Sequence, residues 1–364
     1  MPESTKGPAD PLRGPVLVVG AGLLGTSIGL ALRTRDIDVQ LVDANPEHVR
    51  TASGLGAGRA AEADVAPQLV VVAVPPDHLG AEVRRALSRW PQAVVTDVGS
   101  VKEAPLAELA DGATGAPVRY VGSHPMAGSE RSGPLAASAA LFDGRPWAVT
   151  PHDDVDRAAV DVVLALVAAC GAQPVILSPA EHDAAVARTS HLPHLMAVLV
   201  AGRLADASPA HLALSGQGVR DVTRVAGGDP VLWQQIITSN AAAVLGLLDE
   251  VRQRLDLLRE AVATGERDAL AGLLAEGVEG TRAIPGKHGG PVRPTAPVYV
   301  AVPDHPGELA RLFADAGLAE VNIEDVRIDH DPGRAVGQVE LVVDESRADR
   351  LAEHLAEQGW TVHR

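Results

Sequence analysis

Two patterns alternate through the first half of the chain. Short apolar runs bounded by Gly, Pro or Asp (PVLVV, DVQLVD, QLVVVAV, AVVTDV, RYVG, PWAVT and QPVIL) are separated by segments of helical character, from Pro15 to about Ser178. Val- and Ile-rich runs of this kind predict buried parallel strands, and their spacing is that of βαβ units. The expected architecture for residues 14–178 is therefore a Rossmann-like, doubly wound parallel α/β sheet. From 179 to 284 the strand-like runs stop. Segments such as HLPHLMAVLVAGRLA and NAAAVLGLLDEVRQRLDLLREAVA predict an all-helical domain whose apolar surface suits a dimer interface. Residues 285–297, PGKHGGPVRPTAP, have the composition of a linker. Residues 298–364 then repeat the order strand, helix, strand, strand, helix, strand, which predicts a small ferredoxin-like βαββαβ module. The polar, proline-rich residues 1–13 predict a disordered tail.

Composition narrows the classes. The 364 residues suffice for two or three domains with sizeable cores. Hydrophobic residues make up 46% and aromatics only 2%, so those cores must be aliphatic. A net charge of −16 argues against nucleic acid or an anionic membrane as partner. A small anionic substrate then has to be drawn by local Arg and His. The single cysteine, Cys170, lies in the apolar run VDVVLALVAACGA, which leaves no intrachain disulfide, fits a reducing cytoplasm and reads as a buried structural thiol. Neither a signal-peptide apolar region nor a membrane span is legible, so a cytoplasmic protein is expected.

Candidate chemistry sits at strand ends. In VVGAGLLG, Gly20 permits a tight turn, Gly22 lets the backbone approach a pyrophosphate and Gly25 allows close helix–sheet packing. The turn opens the apolar helix TSIGLALRT, whose free N–H groups face such an anion, and Leu23 and Leu24 within the turn join the cofactor set. Asp43 ends the second strand, roughly 20 residues on, where an acid bonds the ribose hydroxyls. It would repel a 2′-phosphate, which favours NAD over NADP, although Arg50 follows on the next helix. In DVGSVK, Ser100 either faces the ligand crevice or N-caps the helix VKEAPLAEL, and both roles are compatible. In SHPMAGSERSG, His124 leaves a strand where a proton acceptor would serve hydride abstraction from an alcohol. ARTSHLPHLM places His191 and His194 near one helix face, with Pro193 in the first turn. A metal site completed by His182 lacks convincing spacing, so no metal is expected and anion or carbonyl binding is favoured. GVRDVTRVA puts Arg220 and Arg224 four apart, either as a solvated salt-bridged face with Asp221 or as a carboxylate clamp.

In their fixed order, GAGLLG, Asp43, AVPP, DVGSVK, SHPMAGSERSG, TSHLPH and GVRDVTRVA resemble the prephenate/arogenate dehydrogenase family, from about Val16 to Leu255. The C-terminal module resembles an ACT domain, with PDHPGELARL and VNIEDV at the usual ligand-binding places. The resemblance implies oxidation of prephenate at the ring carbon bearing the 4-hydroxyl, with a hydride passed to NAD. Loss of the ring carboxylate as carbon dioxide then gives 4-hydroxyphenylpyruvate. It implies that His124 takes the hydroxyl proton, that Ser100 orients His124, and that Arg224 holds a carboxylate. His191, His194 and the adjoining Ser190 would bind substrate, Ser129 and Glu130 would close on the pocket, and Arg220 would serve a neighbouring subunit's site. Val74 and Pro75 of AVPP join the cofactor set. Asp304, Gly307 and Asn322 would hold L-tyrosine as feedback effector, and a homodimer is implied. The loop reads S-E-R where the family often has T-E-K, which keeps the hydroxyl and the charge. Arogenate is the rival substrate. A β-hydroxyacid dehydrogenase is disfavoured because no lysine occurs between Lys102 and Lys287. A non-catalytic NAD and amino-acid sensor is disfavoured by the intact His124, Ser100 and Arg224 set.

Overall fold

All seven apolar runs become strands of one sheet. A computed structural model describes residues 11–110, 117–128, 131–285, 294–330 and 336–364. The strands are β1 (Val16–Val19), β2 (Val39–Val42), β3 (Arg59–Ala60), β4 (Leu69–Val72), β5 (Val94–Asp97), β6 (Tyr120–Pro125), β7 (Pro146–Thr150) and β8 (Gln173–Ile176). Their order is β3-β2-β1-β4-β5-β6-β7-β8. The first six follow the Rossmann order, with the topological switch beside β1.

Alternation within the strands builds a core on each face of the sheet. Val16, Val18, Leu69 and Val71 pack with Ile28 and Leu32 of helix Leu23–Arg33 and with Val163 and Leu166 of helix Arg157–Ala169. Their neighbours Leu17, Val70, Val72 and Val95 turn to the other face, against Leu79 and Val83 of helix Pro76–Arg89. Successive side chains of a strand point to opposite faces, so a strand covered on both sides calls for a near-continuous apolar run. β4 meets that demand, with all four residues fully buried.

Three expectations need correction. β7 runs antiparallel to β6, pairing Gly122 with Thr150 and His124 with Ala148. A parallel neighbour needs a crossover of a dozen or more residues, usually helical. Among the described residues between β6 and β7 there is only the short 3₁₀ turn Pro134–Ala136. β8, read as buried, is an exposed edge strand, and Pro174 within it suits an edge because it cannot donate to a ladder. At the other end of the domain, residues 11–13 do not behave as a tail: Leu12 is buried, and the Arg13 N–H donates to Gln68 Oε1 (2.8 Å).

The chain divides into two compact units, Met1–Leu257 and Leu258–Arg364. Helices Pro179–Val186, Leu192–Gly202, Gln217–Thr223 and Pro230–Ser239 belong to the first, with the sheet. The second contains β9 (Thr295–Pro303), helix Glu308–Leu318, β10 (Ile323–His330), β11 (Val336–Asp344), helix Glu345–Glu357 and β12 (Thr361–His363). These strands form an antiparallel sheet in the order β10-β11-β9-β12. Val298, Val300 and Val302 alternate into its core against Leu312, Leu351 and Trp360. No single helix among the described residues is long and apolar enough to cross a membrane.

Candidate active site

The glycine turn after β1 has the shape a dinucleotide needs. Gly20 adopts a φ of +102°, and a Cβ there would stand 2.2 Å from the Ala73 carbonyl oxygen. A Cβ on Gly25 would stand 1.9 Å from the Gly20 carbonyl oxygen. Gly22 faces open space, where a Cβ would meet nothing within 4 Å. The helix that follows has no side-chain cap and no acid in its first turn. Its N–H groups at Leu23 and Leu24 are thus left for an external anion. The Asp43 carboxylate accepts from the Ala21 N–H and the Asn45 N–H (2.7 Å each), which ties the end of β2 to the glycine turn. A carboxylate offers about four lone-pair sites, so capacity for ribose hydroxyls is left over. Arg50 is paired with Glu47 on its own helix. Val74 and Pro75 lead from β4 into helix Pro76–Arg89, Pro75 as its N-cap. The residues present fit a dinucleotide.

β6 is pinned from beneath by charge. Ser123 Oγ donates to the Asp97 carbonyl (2.7 Å), and Thr96 Oγ1 donates to the Val121 carbonyl (2.7 Å). Lys102, 1% exposed, forms an ion pair with the fully buried Asp97 and donates to the Ser123 carbonyl (2.7 Å). The Tyr120 hydroxyl donates to the other Asp97 oxygen (2.7 Å). Burial pushes the Lys102 ammonium below its ordinary range, and Asp97 opposes that shift.

His124 follows Ser123 on β6 and faces the opposite way. It is half-buried, and its Nδ1 lies 3.0 Å from His182 Nε2. Among the described residues its Nε2 has no hydrogen-bond partner. Burial, and then the Lys102 charge, hold His124 well below its ordinary value of 6.5. It is therefore neutral at physiological pH and can receive a proton.

The helix carrying His182 starts with a capping box: the Ser178 N–H donates to Glu181 Oε2 (2.9 Å), and the Glu181 N–H donates to Ser178 Oγ (3.2 Å). His182 Nδ1 meets Asp183 Oδ1 at 2.8 Å. Asp183 also accepts from the Lys102 N–H (2.8 Å) and the Glu103 N–H (2.9 Å). It thus caps helix Glu103–Ala110 from 80 residues away in sequence. Ser100 does not N-cap that helix, which begins at Glu103, and no hydrogen bond joins Ser100 to His124.

The helix then loosens into a π turn, Ala187–His191, immediately before helix Leu192–Gly202. Pro193 has no N–H to continue the ladder, and single π turns of this kind recur at functional sites. His191 and His194 are both buried and share Trp233. His194 stacks on its ring (centroids 3.6 Å apart), and His191 meets it edge-on (6.3 Å). Asn240 joins His191 Nδ1 (3.2 Å) to the Asp183 carbonyl (2.8 Å). Desolvation lowers His191 to about 4 and also lowers His194, whose Nδ1 is buried without a partner. Ser190 is half-buried on the π turn. Arg220 and Arg224 are exposed and have no partner among the described residues. Asp221 accepts instead from Gln217 (2.8 Å), so the salt-bridged reading of this face does not hold. Val225, next to Arg224, has its backbone beside His194. Ser129 and Glu130 lie outside the described residues.

One continuous cluster therefore links His124, His182, Asp183, Asn240, His191, Trp233 and His194. The family model of the prephenate dehydrogenase nucleotide-binding domain matches residues 28–185, and that of the prephenate dehydrogenase dimerization domain matches residues 178–276. The chain belongs to the prephenate dehydrogenase family. Probable prephenate dehydrogenase NovF of Streptomyces niveus is 38% identical over 356 residues, spanning 94% of this chain and 98% of that protein. The crystal structure of prephenate dehydrogenase from A. aeolicus in complex with hydroxyphenyl propionate and NAD+ is 29% identical with a TM-score of 0.66, covering 73% of this chain and 96% of that one. Synechocystis arogenate dehydrogenase is 27% identical with a TM-score of 0.62, covering 73% and 98%. The chain is thus an oxidoreductase of this family, with a nucleotide-binding first domain.

Sequence reasoning missed Lys102, Asp97, Tyr120, Asp183, Asn240 and Trp233, and weighed His182 only as a metal ligand. Among the described residues no group of three His, Cys, Asp or Glu is placed to hold a metal. The available signals were faint: a lysine inside the quoted DVGSVK, a His-Asp pair just after a capping box, and one of only four tryptophans.

Proposed function

We propose that the chain oxidises and decarboxylates prephenate to 4-hydroxyphenylpyruvate in tyrosine biosynthesis, with NAD as cofactor. The observation that carries this reading is the neutral, half-buried His124, whose Nε2 has no partner among the described residues, in a chain that matches the family across both domains. Bound at the glycine turn and Asp43, NAD supplies the nicotinamide that receives the hydride. His124 Nε2 takes the 4-hydroxyl proton as that oxygen becomes carbonyl-like, and the ring carboxylate departs as carbon dioxide. Arg224, without a partner among the described residues, holds a substrate carboxylate. His194, with its unpaired Nδ1, and His191 line the substrate side with Ser190. Ser100 faces the crevice without orienting His124, Ser129 and Glu130 close on the pocket, and Arg220 serves the neighbouring subunit. Exposed Val198, Leu199, Val231 and Leu245 on the helices suit burial in a homodimer. The unpaired Cys170 fits a reducing cytoplasm.

Turnover should appear as NADH formation with prephenate, and should persist below pH 6.5 because His124 titrates lower. Protein that binds NAD yet turns over neither prephenate nor arogenate sinks the assignment. Arogenate is the second reading, favoured by the likeness to an arogenate dehydrogenase and by identical ring chemistry in both substrates. We further propose that the second unit is an ACT module sensing L-tyrosine. Gly307, at a φ of +96°, opens helix Glu308–Leu318 without a side-chain cap, and Asp304 lies exposed just before it. The Asn322 amide donates to Glu324 (2.8 Å), a bond the effector would displace. Asn322→Ala should relieve inhibition by tyrosine, and superimposable inhibition curves would remove this site.

A further inference from the structure

We propose that His182, backed by Asp183, is a positioning residue that fixes the tautomer of His124 and so leaves Nε2 as the proton-accepting atom. The inference rests on reading His124 as the base. It starts from the acceptor end of the chain of contacts. The Asp183 carboxylate has no hydrogen to give, and it already accepts from the Lys102 and Glu103 N–H groups. The nitrogen 2.8 Å away, His182 Nδ1, must therefore be the donor. In a neutral imidazole one nitrogen donates and the other accepts. His182 Nε2 is then an acceptor, and the hydrogen in its 3.0 Å contact with His124 must sit on His124 Nδ1. That leaves a lone pair on His124 Nε2, the atom without a partner among the described residues.

The arrangement is rigid. His182 and Asp183 are 1% and 2% exposed, so water does not compete for their bonds. Asp183 is held by two backbone N–H groups and its own carbonyl by Asn240. The two rings meet edge to face, with an interplanar angle of 67°. Without His182 the other tautomer becomes accessible, with its hydrogen on Nε2 where the substrate proton must go. Lys102, from the segment before helix Glu103–Ala110, His182, and His191 from the π turn all disfavour the imidazolium form of His124. None of these influences chooses between the two neutral tautomers. The directional bond from His182 does.

The test uses full-length protein with ¹⁵N-labelled histidine. Two-bond ¹H–¹⁵N correlations distinguish a ring protonated at Nδ1 from one protonated at Nε2. Wild-type His124 is expected to carry its hydrogen on Nδ1. In His182→Leu the Nε2–H form should become substantially populated. There kcat should fall by roughly 10²–10⁴, the range a general base supplies, with KM and NAD affinity held. His182→Gln offers an amide oxygen in place of Nε2. It should restore the Nδ1–H tautomer and bring kcat to within about tenfold of wild type. A merely structural role would move melting temperature and KM in both variants without separating Leu from Gln. An Nε2–H tautomer in the wild type, or an unchanged tautomer and kcat in His182→Leu, overturns the proposal. Because the tautomer is read without substrate, a correct tautomer in protein inactive on prephenate and arogenate would uphold the relay and reject the functional reading instead.

Discussion

Replacing Asp97 by Asn tests whether the buried ion pair beneath β6 carries the strand that presents His124. The amide keeps the shape. Its oxygen can still accept from Lys102 and from the Gly99 N–H, which donates to Asp97 Oδ1 at 2.8 Å. The Tyr120 hydroxyl, now a donor to Asp97, can turn to accept from the amide. What the substitution removes is the negative charge. Lys102 and Asp97 are 1% and 0% exposed, so water cannot replace the lost partner. Breaking such a pair costs about 3–5 kcal/mol, because it strands a buried charge. At roughly 2–4 °C per kcal/mol for a unit of this size, melting should fall by about 6–20 °C near pH 7. The pH dependence identifies the stranded charge. Burial already lowers Lys102, and without Asp97 the opposing effect is gone. A lysine depressed in the folded state costs stability below its folded pKa. That cost fades as pH rises toward the unfolded value of about 10.4. Calorimetry between pH 7 and 10 should therefore show the deficit shrinking. A melting temperature within about 2 °C of wild type at pH 7, against that expected fall, would refute the reasoning, as would a deficit that does not change with pH.

Further outcomes follow from the same geometry. Gly25→Ala drives a Cβ to 1.9 Å from the Gly20 carbonyl oxygen and 2.9 Å from Val18 Cγ1. It should cost about 1–3 kcal/mol or more and weaken NAD binding at least tenfold by titration calorimetry; wild-type affinity would contradict it. Asp183→Ala removes the acceptor of two backbone N–H bonds at the start of helix Glu103–Ala110 and of the His182 ring. Charged hydrogen bonds contribute about 1.5–3 kcal/mol each, so chemical denaturation should report a loss of at least about 3 kcal/mol. The Cys170 thiol, 1% exposed and pushed up to about 12 by burial, should resist a thiol reagent in native protein and react fully in denaturant; rapid native labelling would show the burial to be wrong.

The chain's own order of residues determined what depends on near neighbours. Apolar runs without alternation marked the strands of the sheet, because a strand covered on both faces leaves few positions for polar side chains. The glycine turn was legible because the positive φ of Gly20 and the approach of Gly25 to the Gly20 carbonyl act within six residues. The place of His124 near the end of a strand was legible from SHP, the segment that closes β6. The tertiary structure decided the partners. His124 and His182 are 58 residues apart, and Lys102 and Asp183 are 81 apart. Nothing local in EHDAAV announces that one carboxylate will cap a distant helix and orient an imidazole pair. The reversal of β7, the burial of Lys102 with Asp97 and the stacking of His194 on Trp233 were likewise settled only on folding. The physical reason is common to all of them. Local propensity and periodicity sum over adjacent residues, whereas hydrogen bonds and ion pairs form with whatever donor or acceptor packing brings within about 3 Å and shields from water.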